Sequence, residues 1–310
     1  DTQVIAPRGS ASAPHQIGEL DRDRSAKRPR HPMQPASAGP CIIGLEPVVS
    51  SSRRFRIRSI DPPASPLPTP DPVHLRIAGA PREYDVHFRP LVELPELLER
   101  HGLDSESLIL VSDETVWDLY GETLTEDLEE AGREVLPVRL PPGEPTKSAE
   151  HLSVIYDRVL EWGIDRSTPV LALGGGVIGD LAGYAASTLL RGLPLVQLPT
   201  TLIGQADSAI GGKTAINHHT GKNLIGAFHQ PVFVGADLTT LQTLADRDWT
   251  SGLAEVLKYA FIQDRELYDF LHTDWNGVRE RSEEAIREIV PRSVRVKADI
   301  VERDVHESGI

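Results

Sequence analysis

The sequence predicts an α/β protein: a parallel or mixed sheet whose strands alternate with helices, followed by a second, all-helical domain. Three observations carry this reading. From about Tyr84, short apolar runs bounded by turn residues alternate with helical periodicity; a glycine triplet joins one buried strand directly to a helix; and beyond about Asp237 the strand signals vanish.

The elements follow in order. Leu108-Ile109-Leu110-Val111 is a buried-strand run, Glu114 to Ala131 carries a helical pattern ending at Gly132, and Glu134 to Leu140 reads as the next strand. After the Pro141-Pro142-Gly143 break, Leu152, Ile155, Tyr156, Val159 and Leu160 fall on one helical face, which Gly163 terminates. Pro169 to Leu173 predicts a strand running into Gly174-Gly175-Gly176 and a small-residue helix through Leu190; Leu195 to Leu198 predicts another, ending in Pro199-Thr200-Thr201. Helices are expected near 246–262, 264–273 and 280–307.

Composition limits what the chain can be. The net charge is −14, yet residues 1–76 hold 11 Lys or Arg against 7 Asp or Glu and 13 of the 25 prolines. That stretch reads as a disordered tail or linker over residues 1–75, and the acidity of the remainder argues against a general nucleic-acid binder. A single cysteine, Cys41, permits no intrachain disulfide and no cysteine-based metal site. No run of eighteen apolar residues and no signal-peptide pattern is present, so no membrane association is expected and the cytoplasm is the expected location.

The residues that carry chemistry cluster at glycine turns. Glycines without Cβ atoms let a backbone approach a pyrophosphate, and the free N–H groups at a helix N-terminus favour an anion. By itself the turn Gly174-Gly175-Gly176 reads equally as a tight structural turn or a dinucleotide site. Asp180 lies in the first helical turns after it, able to cap or to meet a cofactor hydroxyl. Asp207-Ser208-Ala209-Ile210-Gly211-Gly212-Lys213-Thr214 joins an acid, a glycine pair and a cation, and Gly221-Lys222-Asn223 adds another cation and an amide. Lysines gathered at such turns suit a substrate bearing phosphate and carboxylate groups. Glu255 and Lys258 stand at i and i+3 on one helix face; the plain reading is a surface ion pair. His218, His219, His229, His272 and His306 show no metal-ligand spacing and read as loop or surface residues.

Four segments in order, Leu173-Gly174-Gly175-Gly176-Val177-Ile178-Gly179-Asp180, Leu198-Pro199-Thr200-Thr201-Leu202, Asp207 through Lys213, and Ala254-Glu255-Val256-Leu257-Lys258, resemble the signature of 3-dehydroquinate synthases. The match runs from about residue 84 to the end. It implies a Rossmann-like NAD-binding α/β domain over residues 76–236 and the start of a helical metal-binding and substrate domain over 237–310, incomplete here, in a glycerol-dehydrogenase-like arrangement with zinc or cobalt between domains. By the same resemblance, Asp113, Glu144, Lys147, Gly175, Gly176, Val177, Asp180, Thr200, Thr201, Lys222, Thr243 and Leu244 meet the NAD. Asp207, Lys213, Asn223, Lys258 and Lys297 meet substrate, with Asp207, Lys213 and Lys258 the catalytic candidates. Arg191 reaches a neighbouring subunit's substrate, implying a homodimer, and Glu255 binds the metal. Thr115 stands where some relatives place an asparagine against NAD.

The implied reaction is that of the shikimate pathway to aromatic amino acids: 3-deoxy-D-arabino-heptulosonate 7-phosphate is closed to 3-dehydroquinate with loss of phosphate, and NAD is recycled within the site. One departure bears on activity. The family's two metal-binding histidines follow the stretch matched by Val296-Lys297-Ala298-Asp299-Ile300, beyond Ile310, and a lone Glu255 cannot hold a catalytic zinc. The 310-residue polypeptide is therefore expected to lack turnover by itself. The rival readings are a sister cyclase making a valiolone or an inosose, a metal-dependent alcohol dehydrogenase of similar fold, and a non-catalytic NAD-binding fragment.

Overall fold

A computed structural model of the chain describes residues 67–77 and 83–304. The basic tail as far as residue 66, including Cys41, and His306 lie outside the described residues.

Strand β1 (Val73–Leu75) pairs antiparallel with β2 (Tyr84–His87), so the sheet begins inside the span that composition assigned to the tail. Helix α1 (Leu94–Arg100) leads to β3 (Ser107–Asp113), whose five central residues are all buried. The helical pattern after β3 divides into α2 (Glu114–Val116), a π-helical turn over Trp117–Gly121, and α3 (Glu122–Glu130). A side chain at position 121 would sit 2.6 Å from the Trp117 ring, so glycine is required where the turn widens. Next come β4 (Glu134–Leu140), α4 (Ala149–Trp162), β5 (Val170–Gly174), α5 (Gly176–Thr188) and β6 (Leu195–Pro199).

The lysine-bearing segments read from sequence only as glycine turns form a separate two-stranded hairpin, β7 (Lys213–His218) with β8 (Gly221–Phe228). Strand β9 (Phe233–Gly235) returns to the main sheet. The helical part comprises α6 (Asp246–Ile262), α7 (Arg265–Thr273), α8 (Trp275–Glu280) and α9 (Glu283–Arg303); the last starts at Glu283, where the Ser282 hydroxyl caps it, rather than at residue 280.

The seven-stranded sheet runs β1-β2-β9-β6-β5-β3-β4, parallel throughout except for β1 against β2. From β3 the chain steps outward to β4 and then crosses to the other side of β3 at β5, so the strand order reverses between β3 and β5. A doubly wound sheet opens a crevice at such a switch point, outside the carboxyl ends of the strands. Apolar side chains of α1 and α3 cover one face of the sheet and those of α4 and α5 the other. A third core joins β1, β2 and Val234 of β9 to α6, α7, α8 and α9, which fastens the helical layer to that end of the sheet. Among the described residues, no helix is long and apolar enough to cross a membrane.

Candidate active-site crevice

The crevice at the switch point is a cavity of 650 Å³, and every residue expected at the cofactor lines it. Each arrives from the end of a secondary element. Asp113 ends β3; Glu144 and Lys147 come from the connection between β4 and α4; Gly175, Gly176, Val177 and Asp180 open α5; Thr200 and Thr201 follow β6; Lys222 lies on β8; Thr243 and Leu244 precede α6. Parallel strands deliver their carboxyl ends to one rim, which is why residues spread over some 130 positions meet in one place.

Helix α5 begins at Gly175 without a side-chain cap, so its first N–H groups are left facing the cavity region. A Cβ on Gly175 would stand 2.9 Å from Thr201 Cγ2, and one on Gly176 3.0 Å from Ser208 Oγ. The two glycines thus keep open a cradle that any side chain would fill. Uncapped N–H groups at the positive end of a 13-residue helix are suited to an anion.

Charges border the cradle. Lys147 is 5% exposed. Its ammonium donates to Asp180 and, at 2.5 Å, to Asn223 Oδ1. Asp180 therefore does not cap α5 but neutralises a buried cation. Burial pushes the Asp180 carboxyl above its ordinary value, and Lys147 only partly offsets that. On the outer rim Glu144 accepts from Asn217 at 2.8 Å and pairs with Lys222 at 3.2 Å; burial pushes its carboxyl up, but these partners outweigh burial and hold it below the usual range. Asp113 caps α2 by accepting from the Val116 N–H at 3.1 Å, and burial raises its carboxyl. Asn217 and Tyr120, whose hydroxyl lies 2.5 Å from Thr243 Oγ1, were not singled out in the sequence because isolated polar residues carry no spacing signal, and Ser208 entered only as part of the Asp207–Thr214 motif.

A second cluster gathers against the helical layer. Asp207, in the π-helical turn Gly204–Ser208, accepts from Lys297 Nζ at 2.8 Å and from the Tyr259 hydroxyl at 2.5 Å. Lys297 is 4% exposed, on α9. Burial pushes the Asp207 carboxyl up, but Lys297, Tyr259 and Lys258 together overcome it and hold the group below the usual carboxylate range. Asp248 and Ser251 of α6 line the crevice, and Glu255 and Lys258 follow at helical spacing on the same side of α6. Glu255 is paired with Lys258, as expected, yet its Oε2 is buried, unlike that of an ordinary surface pair. Tyr259, fully buried, is the member that sequence reasoning missed; its only signal was adjacency to Lys258.

Other expected residues stand apart. Lys213 does not line the main crevice but a smaller neighbouring cavity, with Asp180 and Asn223 shared between the two. Arg191 is exposed in the 3-10 turn Leu189–Arg191 that follows α5, with φ 68°, and lines neither cavity. His229 lies in the loop after β8, as expected, but is half-buried, its Nε2 meeting the Leu193 carbonyl at 2.9 Å. Among the described residues, no trio of metal-ligating side chains includes Glu255; the one such trio is Asp85, His87 and His101, on β2 and at the end of α1. The residues present at Glu255 therefore do not by themselves make a catalytic zinc or cobalt site, which needs about three protein ligands.

An open, doubly wound sheet with a glycine-opened helix at its switch point, backed by a helical layer that supplies a buried lysine, Lys297, defines an α/β protein of the dinucleotide-site class. Residues 137–251 match the family model for the 3-dehydroquinate synthase N-terminal domain and residues 252–310 that for the C-terminal domain. The chain belongs to the 3-dehydroquinate synthase family. It is 55% identical over 229 residues to a 3-dehydroquinate synthase of Salinibacter ruber, an alignment covering 74% of this chain and 62% of that protein. The crystal structure of 2-deoxy-scyllo-inosose synthase complexed with carbaglucose-6-phosphate, NAD+ and Co2+ superposes with a TM-score of 0.70 at 26% identity, over 77% of this chain and 64% of the other. A 2-epi-5-epi-valiolone synthase from Streptomyces hygroscopicus subsp. jinggangensis, with NAD+ and Zn2+ bound, superposes at 0.67 with 34% identity, over 76% and 66%. The chain thus spans slightly less than two thirds of the length of these relatives.

Proposed function

We propose that this chain carries the NAD site and part of the substrate site of a 3-dehydroquinate synthase acting on 3-deoxy-D-arabino-heptulosonate 7-phosphate. The observation that carries the reading is the convergence of all twelve expected cofactor residues on one cavity at the sheet's switch point. The higher identity to a dehydroquinate synthase than to the inosose and valiolone enzymes favours this branch over its sister cyclases.

NAD fits the cradle. The uncapped N–H groups of α5 take its pyrophosphate over Gly175 and Gly176, and Asp113 at the end of β3 accepts from a ribose hydroxyl. Bound there, NAD supplies a reversible hydride acceptor. Lys147 holds Asp180 and Asn223 in fixed positions along the wall, so that little reorganisation accompanies binding. Toward the helical layer, Lys258 and Lys297 present ammonium groups to phosphate and carboxylate, with Asp207 balancing their charge and, held ionised, available to accept a proton or a hydroxyl hydrogen bond. Lys213, on its own cavity beside Asn223, reaches the substrate from the hairpin side. Glu255 provides one carboxylate toward a divalent metal, and no step is assigned to a metal on this residue set. Arg191, which lines neither cavity, serves a neighbouring subunit's substrate in a homodimer, a role that rests on the resemblance.

Calorimetry of NAD binding to the folded chain tests the first part. Saturable binding is expected, weakened at least tenfold, about 1.4 kcal/mol, by Gly176→Val, which fills the cradle. Absence of binding at millimolar NAD would overturn it. Product analysis on the protein from the whole reading frame, with heptulosonate phosphate, NAD and zinc or cobalt, tests the second; a valiolone or inosose product from its own sugar phosphate, with no dehydroquinate, assigns a sister cyclase instead.

A further inference from the structure

A second group of metal-ligating side chains lies away from the crevice, on the sheet face covered by α1. Asp85 and His87 alternate along β2 and so project to the same face, and His101 caps the C-terminal end of α1 beside them. The Nε2 atoms of His87 and His101 face each other at 2.8 Å, and together with a carboxylate oxygen of Asp85 the three potential ligand atoms lie within 4.8 Å of one another.

We propose that Asp85, His87 and His101 form a binding site for a borderline divalent transition metal such as Zn2+, separate from the crevice, that ties β2 to the end of α1. Two imidazoles and one carboxylate suit zinc, cobalt or nickel, and they leave a fourth position for water. Around a tetrahedral zinc with bonds of ~2.0–2.1 Å, ligand atoms stand ~3.3 Å apart. The set therefore closes on an ion by a small parting of the two rings and an inward turn of the Asp85 side chain, which retains partial exposure and gives the ion its entry path.

The surroundings orient the ligands. His74, opposite Asp85 in the β1–β2 register, holds Asp85 Oδ1 through its Nδ1 at 2.8 Å and reaches Glu83 with its other nitrogen at 3.1 Å. Phe233 stacks on His101 at 4.6 Å between ring centroids and packs edge-on to His87 at 5.9 Å, which restricts both rings to the orientation in which their Nε2 atoms converge. Both rings then bind as Nδ1–H tautomers, the ion replacing the hydrogen now shared between the Nε2 atoms. A hydrogen-bonded histidine pair explains the 2.8 Å approach as well; what favours a metal is the third potential ligand, an Asp85 carboxylate oxygen within 4.8 Å of both nitrogens.

The test is calorimetric titration of the full chain with Zn2+, and with Co2+ followed by its visible absorption. One saturable site is expected, with tetrahedral cobalt intensity, at least tenfold weaker in Asp85→Asn, abolished in His101→Gln, and unchanged in Glu255→Gln. No saturable binding at ~1 mM metal overturns the proposal, as does affinity unaltered by His101→Gln or lost with Glu255→Gln. Should His101→Gln fail to fold by circular dichroism, Asp85→Asn, at a more exposed position, decides the matter by the same criterion.

Discussion

Replacing Lys147 with methionine removes the cation that faces Asp180 while keeping the length of the buried stem. Lys147 is almost fully buried and Asp180 retains 18% side-chain exposure, through the crevice. Removing one partner of a buried ion pair costs ~3–5 kcal/mol, because the other charge is left without compensation. Residual hydration of Asp180 and the nearby Asn223 amide, freed from Lys147, place the expected loss at the lower end, about 3 kcal/mol. For a domain of this size 1 kcal/mol corresponds to about 2–4 °C, so a fall in Tm of roughly 6–12 °C is expected in calorimetry or thermal circular dichroism at pH 8. The pH dependence fixes the cause. Burial already raises the Asp180 carboxyl, and losing Lys147 raises it further. An acid whose folded pKa exceeds its unfolded value subtracts stability fully above the folded pKa and not at all below the unfolded one. The penalty of Lys147→Met should therefore shrink as pH is lowered through the raised folded value toward the ordinary carboxylate range. It should also shrink in an Asp180→Asn background, where no charge is stranded. A fall in Tm below about 3 °C, or an equal fall with Asp180→Asn already present, would refute the account.

Tyr259→Phe deletes a buried hydrogen bond to the Asp207 carboxylate and is expected to cost ~1.5–3 kcal/mol in urea unfolding at pH 7. Because Asp207 is held below the usual carboxylate range, its contribution is present above the unfolded carboxylate pKa and is lost as pH falls through the depressed folded value; the penalty of Tyr259→Phe should fade only in that acid window. Gly252→Ala places a Cβ 2.5 Å from Leu202 Cβ, where α6 meets the start of the turn after β6, and should destabilise by ~1–3 kcal/mol, a shift in the urea midpoint without a change in slope.

Helix α6 illustrates what a local pattern decides: its span was read from residues 246–262 and found there, because its apolar spacing and the loss of strand signals are properties of neighbouring residues. Strands β3, β5 and β6 were legible for the same reason, being continuous buried runs between turns, and β4 by its apolar residues between the Gly132 and Pro141-Pro142-Gly143 breaks. Of the twelve expected cofactor positions, the residues themselves suggested the glycine turn and Asp180; the rest were implied only by the resemblance to a family, since no spacing rule links Asp113 to Leu244. Strands β1 and β9, three residues each, carry too few side chains to show a period, and the hairpin β7–β8 was obscured because β8 is almost wholly exposed, so that its alternation never appears as hydrophobicity.

The sequence by itself determined the alternation of β3 to β6 with helices, the helical stretch after them, the glycine-opened helix and the kinds of charged group available. Tertiary structure alone decided which of those groups meet. It set Lys147 against Asp180, Lys297 and Tyr259 against Asp207, and His87 against His101, pairs separated by between 14 and 90 positions. The reason is physical: a local pattern records which face of an element seeks the core, whereas a pairing across the chain is fixed by strand order, and strand order is settled only when the whole sheet has buried its two faces.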